Sequence, residues 1–296
     1  MAQLNYAKSY SQALDQAFPY VLNFGALYST PNNGRYRWVN SKTIEIPTIS
    51  VKGRTDADRD TIGTINRSYD NNWTPKTLEN FRKWDTLVHP MDIDETNYTT
   101  SIANITQVYN ETEKFPEMDA YCVSKIYSEW KSQSMTADTT VIDENNVIQV
   151  FNKMNLEMSN KRVPATGRIL YVTPAVKNFI NTSKEMNRQI NLKDSSKRLI
   201  YDLEGIDLVD IVSVPPELMG TIYDFTIGWK KGTGSKQINM FLVHPMAVIT
   251  PIQYTFARLD SPSAGSQGKW VYYEESYEDV FILNNKKDAI QFNIEA

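Results

Sequence analysis

The stretch from Arg168 to Met219 constrains the fold more than any other part of this chain. It opens with a short apolar run, Ile169, Leu170, Tyr171 and Val172, which stops at Thr173-Pro174. Threonine before a helix and proline at its first residue form a strong start signal. Threonine can accept an orphan N–H, and proline has none to lose. Val176, Phe179 and Ile180 follow at the spacing of one buried helical face. A second extended run, Ile206 to Val214, ends at Pro215-Pro216. Strand, helix and strand predict an α/β unit. It carries no glycine-rich phosphate loop, no histidine and no cysteine, so it reads as a scaffold without a reactive centre.

The whole chain has 296 residues, enough for one large or two moderate domains with a substantial core. Hydrophobic residues at 41% and charged residues at 22% fit a soluble folded chain rather than a disordered one. No apolar run approaches the roughly 18 residues of a membrane span. The amino-terminal MAQLNYAKSYSQALDQAF lacks the pattern of a secretory signal, so the Asn-X-Ser/Thr triplets read as chance products. The single cysteine, Cys122, excludes an internal disulfide framework and suits a reducing compartment. A net charge of −4 argues against surface-wide nucleic-acid binding. The charge is uneven: residues 1–54 hold six Lys/Arg against Asp15 and Glu45, while four basic and seven acidic residues follow from Gln253. Two such regions could attract each other between copies, although ordinary surface variation explains the composition as well.

Along the chain, residues 1–40 are aromatic-rich and broken by Pro19, Pro31, Asn32, Asn33 and Gly34, as in an extended arm. Lys42–Lys52 alternates, with Ile44 and Ile46 before Pro47 and Ile49 and Val51 after it, and predicts an edge or bulged strand. The polar RTDADRDTIG then reads as a loop, and Lys76–Val88 as a second strand, giving a long projecting hairpin. Residues 92–133 turn helical, with Pro116 opening the main helix and Glu117 and Asp119 in its first turn. Met118, Cys122, Ile126 and Trp130 share one face, and the polar run Ser132–Asn145 marks a boundary. Ile238–Val243, Trp270–Tyr273, Val280–Leu283 and Ile290–Ile294 read as strands, with a turn at Asn284–Asp288.

Each candidate for chemistry has a plainer reading. His89-Pro90 and His244-Pro245 both end apolar runs, and no Cys, Asp or Glu stands at ligand spacing from either, so they read as strand-end caps. Asp92, Asp94 and Glu95 resemble the start of a calcium loop without its glycine or closing acid. Gly232 to Lys236 has the composition of a phosphate loop but not its Gly-Lys-Ser/Thr ending, and reads as a turn. Cys122 lies on an apolar helical face, where a thiol is inert. Seventeen tyrosines and six tryptophans could build a sugar platform, but their scatter favours core and subunit contacts. No cofactor, metal or catalytic residue is expected.

In order and phrasing these parts resemble the major capsid protein of tailed bacteriophages, the Hong Kong 97 type of fold, in phages of Gram-positive bacteria. The phrases are KTLENFRKWDTLVHPMDIDETN (76–97), KFPEMDAYCVSKIY (114–127), PATGRILYVTPAVKNFI (164–180), DIVSVPPELM (210–219), NMFLVHPMAVITPIQ (239–253) and EESYEDVFILNNKKDAIQFNIEA (274–296). The resemblance implies an α+β fold. Residues 1–40 would be an arm embracing neighbours, and 41–90 an E-loop hairpin over the adjacent subunit. Residues 91–146 and 251–296 would form a peripheral domain with a spine helix, and 147–250 an α/β axial domain. The implied function is a virion shell of hexamers and pentamers around double-stranded DNA, assembled in the bacterial host cytoplasm. A nanocompartment shell of the same fold is the alternative, and a carbohydrate-binding or hydrolytic α/β enzyme a distant third. Because the arm begins almost at once, a separate scaffolding protein or an already processed chain is implied. A portal is expected, with room for a decoration protein. Arg35, Tyr36, Arg37 and Trp38 in the arm mix charge with aromatic anchors. With Arg54, Asp58, Arg59 and Asp60 at the hairpin tip, they are the expected intersubunit contacts.

Overall fold

The computed structural model describes residues 20–56, 59–60, 66–95, 101–183, 187–189, 200–202 and 210–296. The alternating run after residue 42 forms β2 (Thr43–Val51), between β1 (Arg37–Asn40) and β3 (Tyr69–Thr77). Ile44 and Ile46 turn inward and are buried, whereas Ile49 and Val51 fall on the opposite face and are exposed. β1 pairs only with Thr43, Ile44 and Glu45. Pro47 therefore lies where that edge of β2 has no strand to serve, which tolerates its missing N–H.

The second arm of the hairpin is not the expected one. β2 pairs with β3 from Thr43↔Thr77 to Val51↔Tyr69, and not with the run at 76–88. YDNNWTPKT has no apolar alternation to announce a strand, and its ladder to β2 alone keeps it extended. The run expected there instead forms β4 (Phe81–Val88), which departs after the buried Leu78 into another sheet.

α1 (Ile102–Tyr109) and α2 (Phe115–Ser132) are joined by a π-turn at Asn110–Lys114, so one helical path runs from Ile102 to Ser132. Pro116, expected to open the main helix, lies within this path. Proline in a helix interior removes one hydrogen bond and crowds the preceding turn. The widened turn directly before it, where the Phe115 N–H reaches the Asn110 carbonyl, gives the ring its room. Cys122, Ile126 and Trp130 are fully buried, as their spacing predicts, and Met118 is half-buried.

The α/β unit follows. α3 (Val147–Asn160) leads to β5 (Ile169–Val172), α4 (Pro174–Thr182) and β6 (Asp210–Ser213), and β5 and β6 pair in parallel. The expected strand from Ile206 is described only from Asp210 onward. α4 starts at Pro174, but the Thr173 hydroxyl makes no cap bond. The extended Thr173 backbone opens the helix, its carbonyl accepting the Lys177 N–H at 2.9 Å. β7 (Ile238–Val243) runs antiparallel to β5. The buried Arg168 ties this sheet to the end of α3, donating to the carbonyls of Pro164 (2.9 Å) and Val163 (2.6 Å) and to Ser159. Gly167 precedes it at φ +87°, and a Cβ there would stand 3.4 Å from the His244 ring.

β8 (Ile252–Asp260) and β9 (Trp270–Glu278) pair antiparallel with each other, and β9 also with β4, in the order β8-β9-β4. β9 outruns the expected Trp270–Tyr273 because partners flank it on both sides. β10 (Ile290–Ile294) does not join this sheet. It pairs with β7, giving the order β10-β7-β5-β6, so the last strand belongs with the α/β unit rather than the peripheral part. All five of its residues are buried, which requires cover on both faces. Phe292 stacks on Phe241 at 4.6 Å and meets Trp130 and Tyr127 of α2 at 5.2 Å each. The helix and the α/β sheet therefore share one core.

Candidate functional site

The described part of the arm is fastened to its own chain. Asp119 of α2, fully buried, accepts the N–H groups of Asn23 (2.8 Å) and Phe24 (3.1 Å), the Asn23 side-chain amide (3.0 Å) and the Tyr20 hydroxyl. Burial pushes this carboxyl up, and the hydrogen bonds from Tyr20, Asn23 and Phe24 pull against that rise. Phe24 and Leu27 are fully buried in the main core, with Phe24 4.6 Å from Tyr171. Farther on, Thr30 donates to the Val248 carbonyl at 3.1 Å, and Asn32 to the Met246 carbonyl at 2.6 Å. Residues 20–33 thus clasp their own body. Residues 1–19 of the expected arm lie outside the described residues.

The root of the hairpin is pinned by charge. Lys76 of β3 meets Glu129 of α2 at 3.0 Å, and Lys125 of α2 meets Glu79 at 2.8 Å. The Glu79 N–H and the Tyr121 hydroxyl both donate to the buried Asp279, at 2.8 and 2.7 Å. Burial pushes Asp279 up, opposed by the Lys125 ammonium. The inner face of the β8-β9-β4 sheet lies on the helices, through Lys114–Glu274 at 3.1 Å, Arg82–Glu117 at 3.0 Å and the Trp84–Tyr109 stack at 3.9 Å. Most of the acids that suggested an attractive carboxy-terminal surface are therefore engaged within the chain.

The expected contact residues separate into two groups. Tyr36 and Trp38 meet edge-on at 5.7 Å and pack on a small core of Ile44, Ile46, Leu78, Ile249 and Phe281. Arg37 donates to Glu45 at 2.8 and 3.0 Å and covers the Trp73 ring at 4.1 Å. These three are engaged internally. Arg35, Arg54, Arg59 and Asp60 are exposed, and Asp58 lies outside the described residues. Sequence reasoning missed Asp119, whose acid in a first turn looked like dipole compensation, and Arg168, whose burial no local pattern signals.

The histidines behave as caps: His89 Nδ1 accepts the Met91 N–H at 3.2 Å, and His244 Nδ1 the Met246 N–H at 3.3 Å. Burial holds His244 below its ordinary value. Among the described residues no group of three or more His, Cys, Asp or Glu is placed to hold a metal, and no helix is long and apolar enough to cross a membrane. Gly232–Lys236 forms a turn between Lys230–Lys231 and β7. Cys122 is fully buried, and burial pushes its thiol up. Cys122→Ala is expected to cost on the order of 1 kcal/mol through lost packing alone. Thermal unfolding checks this, and poor function at normal stability would mean that the thiol has chemistry.

No protein-family model matches the chain, and no curated protein matches it in sequence. Solved structures do. The asymmetric unit of the mature capsid of bacteriophage PhiM1 is similar at TM-score 0.66 and 12% identity, over 99% of this chain and 92% of that one. The capsid of the cyanophage P-SCSP1u follows at 0.63 and 11%, over 98% and 93%. The chain has the Hong Kong 97-type phage capsid fold. A structure from Mycobacterium phage Che8 agrees at 0.57 and 13%, over 99% and 98%. At such identities the capsid fold is what is shared, and side-chain roles rest on this chain's own geometry.

Proposed function

We propose that this chain is the major capsid protein of a tailed phage, self-assembling as hexamers and pentamers into an icosahedral shell around double-stranded DNA. The observation that carries this reading is the capsid fold over nearly the whole chain. The projecting hairpin supports it, because a two-stranded ribbon with open edges is marginal alone and is stabilised when a neighbour covers it. Repeated contacts between unlike surfaces close rings and then a shell. The net charge of −4 suits a container that holds DNA without gripping it everywhere. The role is structural rather than catalytic: the histidines cap turns, and the one thiol is sealed in the core. The place of action is the virion, with assembly in the host cytoplasm and separate scaffolding and portal proteins.

Shortening the tip between Arg54 and Tyr69 is the test. The tip is polar and turn-rich in sequence, so the shortened chain should fold with an unchanged circular dichroism spectrum. It should form no stable shells by electron microscopy. Normal particles from the shortened protein would remove the hairpin from assembly. Wild-type protein that stayed monomeric in light scattering, with a scaffolding partner and across salt conditions, would overturn the shell reading itself.

A further inference from the structure

The arm and the turn before β10 meet at the Met246 carbonyl. It accepts the Asn32 side-chain amide at 2.6 Å and the Lys286 ammonium at 3.0 Å. The Asn32 carbonyl accepts the Arg35 N–H at 2.9 Å, which closes the turn that carries Arg35. On the other side of Met246, its N–H donates to His244 Nδ1. A Cβ on Gly167, the residue before Arg168, would stand against that same His244 ring. The fold thus gathers Arg35, Lys286 and Arg168 around one point. Among the described residues none of these three cations is ion-paired with a carboxylate. Arg168 is buried and donates only to neutral oxygens of Asn155, Ser159, Val163 and Pro164. Arg35 is exposed, and its guanidinium makes no hydrogen bond among the described residues. Burial lowers the half-buried Lys286 ammonium, and the Arg35 charge lowers it further. Burial likewise keeps His244 neutral, reinforced by the charges of Lys286 and Arg168. Lys286 also lines a recess of about 180 Å³, shared with Thr48, Asn284 and Asn285.

We propose that Lys286 and Arg35 form a binding site for a phosphate group. Arg168 adds its charge from within the fold without touching the ligand. The charge excess selects phosphate over carboxylate. Three cations gathered without an acid exceed what one carboxylate balances, whereas a free or terminal phosphate carries close to two negative charges at neutral pH. The geometry of the donors agrees. A guanidinium presents parallel N–H groups to two phosphate oxygens, and the Lys286 ammonium keeps donors beyond the one given to Met246. The recess beside Lys286 offers room and neutral donors from the Asn284 and Asn285 amides. A buried cation without a counter-charge is costly, and an anion nearby offsets part of that cost. The site is confined to one corner, so it is consistent with a chain whose net charge is −4. Free phosphate and the phosphates of a nucleic-acid backbone present the same oxygens, and successive phosphates of a strand match the charge as well.

Thermal unfolding of the whole chain in phosphate, acetate and chloride at equal ionic strength is the first test. Phosphate should raise the melting temperature as its concentration rises, as a ligand of the folded state does, and acetate should not. By isothermal titration with inorganic phosphate, Arg35→Gln and Lys286→Met should each weaken binding by about tenfold or more. Arg35→Gln removes an exposed side chain that holds nothing in the fold, so its melting temperature in chloride should match the wild type. Arg37→Gln is the control. It removes a nearby arginine already engaged by Glu45 and should leave phosphate binding unchanged. An oligothymidylate without a terminal phosphate, followed by fluorescence anisotropy, separates the two sources. Binding that weakens in Arg35→Gln and falls with salt assigns the site to a nucleic-acid backbone. Phosphate binding without oligonucleotide binding assigns it to the free ion. A wild type that binds neither probe would overturn the proposal. So would equal stabilisation by acetate, or phosphate binding that survives unchanged in both Arg35→Gln and Lys286→Met.

Discussion

Asp119→Ala should lower the stability of the folded chain by roughly 3 kcal/mol or more and free the chain ahead of Asn33. Removing the carboxylate leaves the Asn23 and Phe24 N–H groups and the Tyr20 hydroxyl without their acceptor, at a site where Phe24 is fully buried and Tyr20 and Asn23 are half-buried. Each buried donor left unmatched costs about 1–3 kcal/mol, whereas a hydrogen bond made in exchange for water gains less. The loss should reach beyond the polar groups, because Phe24 and Leu27 enter the core only when the segment between Tyr20 and Tyr28 is held on α2. Asp119→Asn keeps the volume and one acceptor oxygen, and should fall between the two. Thermal unfolding gives the magnitude, and limited proteolysis gives the place, with new cleavage before Asn33. Protection of that segment in a stable Asp119→Ala protein would mean that apolar contacts alone hold the arm.

The second large effect is expected at Phe292. Its ring lies between Phe241 of β7 and the Tyr127 and Trp130 rings of α2, so truncation empties the junction between the long helix and the α/β sheet. Phe292→Ala should cost about 3–5 kcal/mol, the range for removing a buried aromatic ring. Phe256→Ala, on the open sheet face, should change stability by no more than about 0.5 kcal/mol. The two variants together separate core from surface. A shared core also predicts one transition, with circular dichroism and tryptophan fluorescence falling together. Two separated transitions would mean that α2 and the sheet unfold independently.

Most local structure could be read from the residues. Apolar runs bounded by proline or glycine located β5 and β7, the turn at Asn284–Asp288 marked the start of β10, and Pro174 placed the start of α4. The spacing of Cys122, Ile126 and Trp130 identified the buried face of α2. These features depend on neighbours a few residues away, so the sequence carries them. The capsid fold was legible through the order of the parts and the phrases within them. The assembly surfaces were legible only in outline: the hairpin was expected, but its second strand and its apolar outer face were not.

What the sequence determined by itself is therefore where strands and helices form, which faces they bury, and that no reactive constellation stands at a recognisable spacing. Tertiary structure alone decided which strand pairs with which. Tyr69–Thr77, which has no apolar alternation of its own, is a strand because β2 offers it a ladder. Phe81–Val88, the better strand by composition, goes instead to β9, whose residues come nearly two hundred positions later. Backbone hydrogen bonds do not depend on side-chain identity, so pairing is settled by which apolar faces can be buried together over long separations. The same reason explains Asp119 and Arg168. A charge becomes a structural anchor only when distant backbone groups are brought around it, and no local pattern records that meeting.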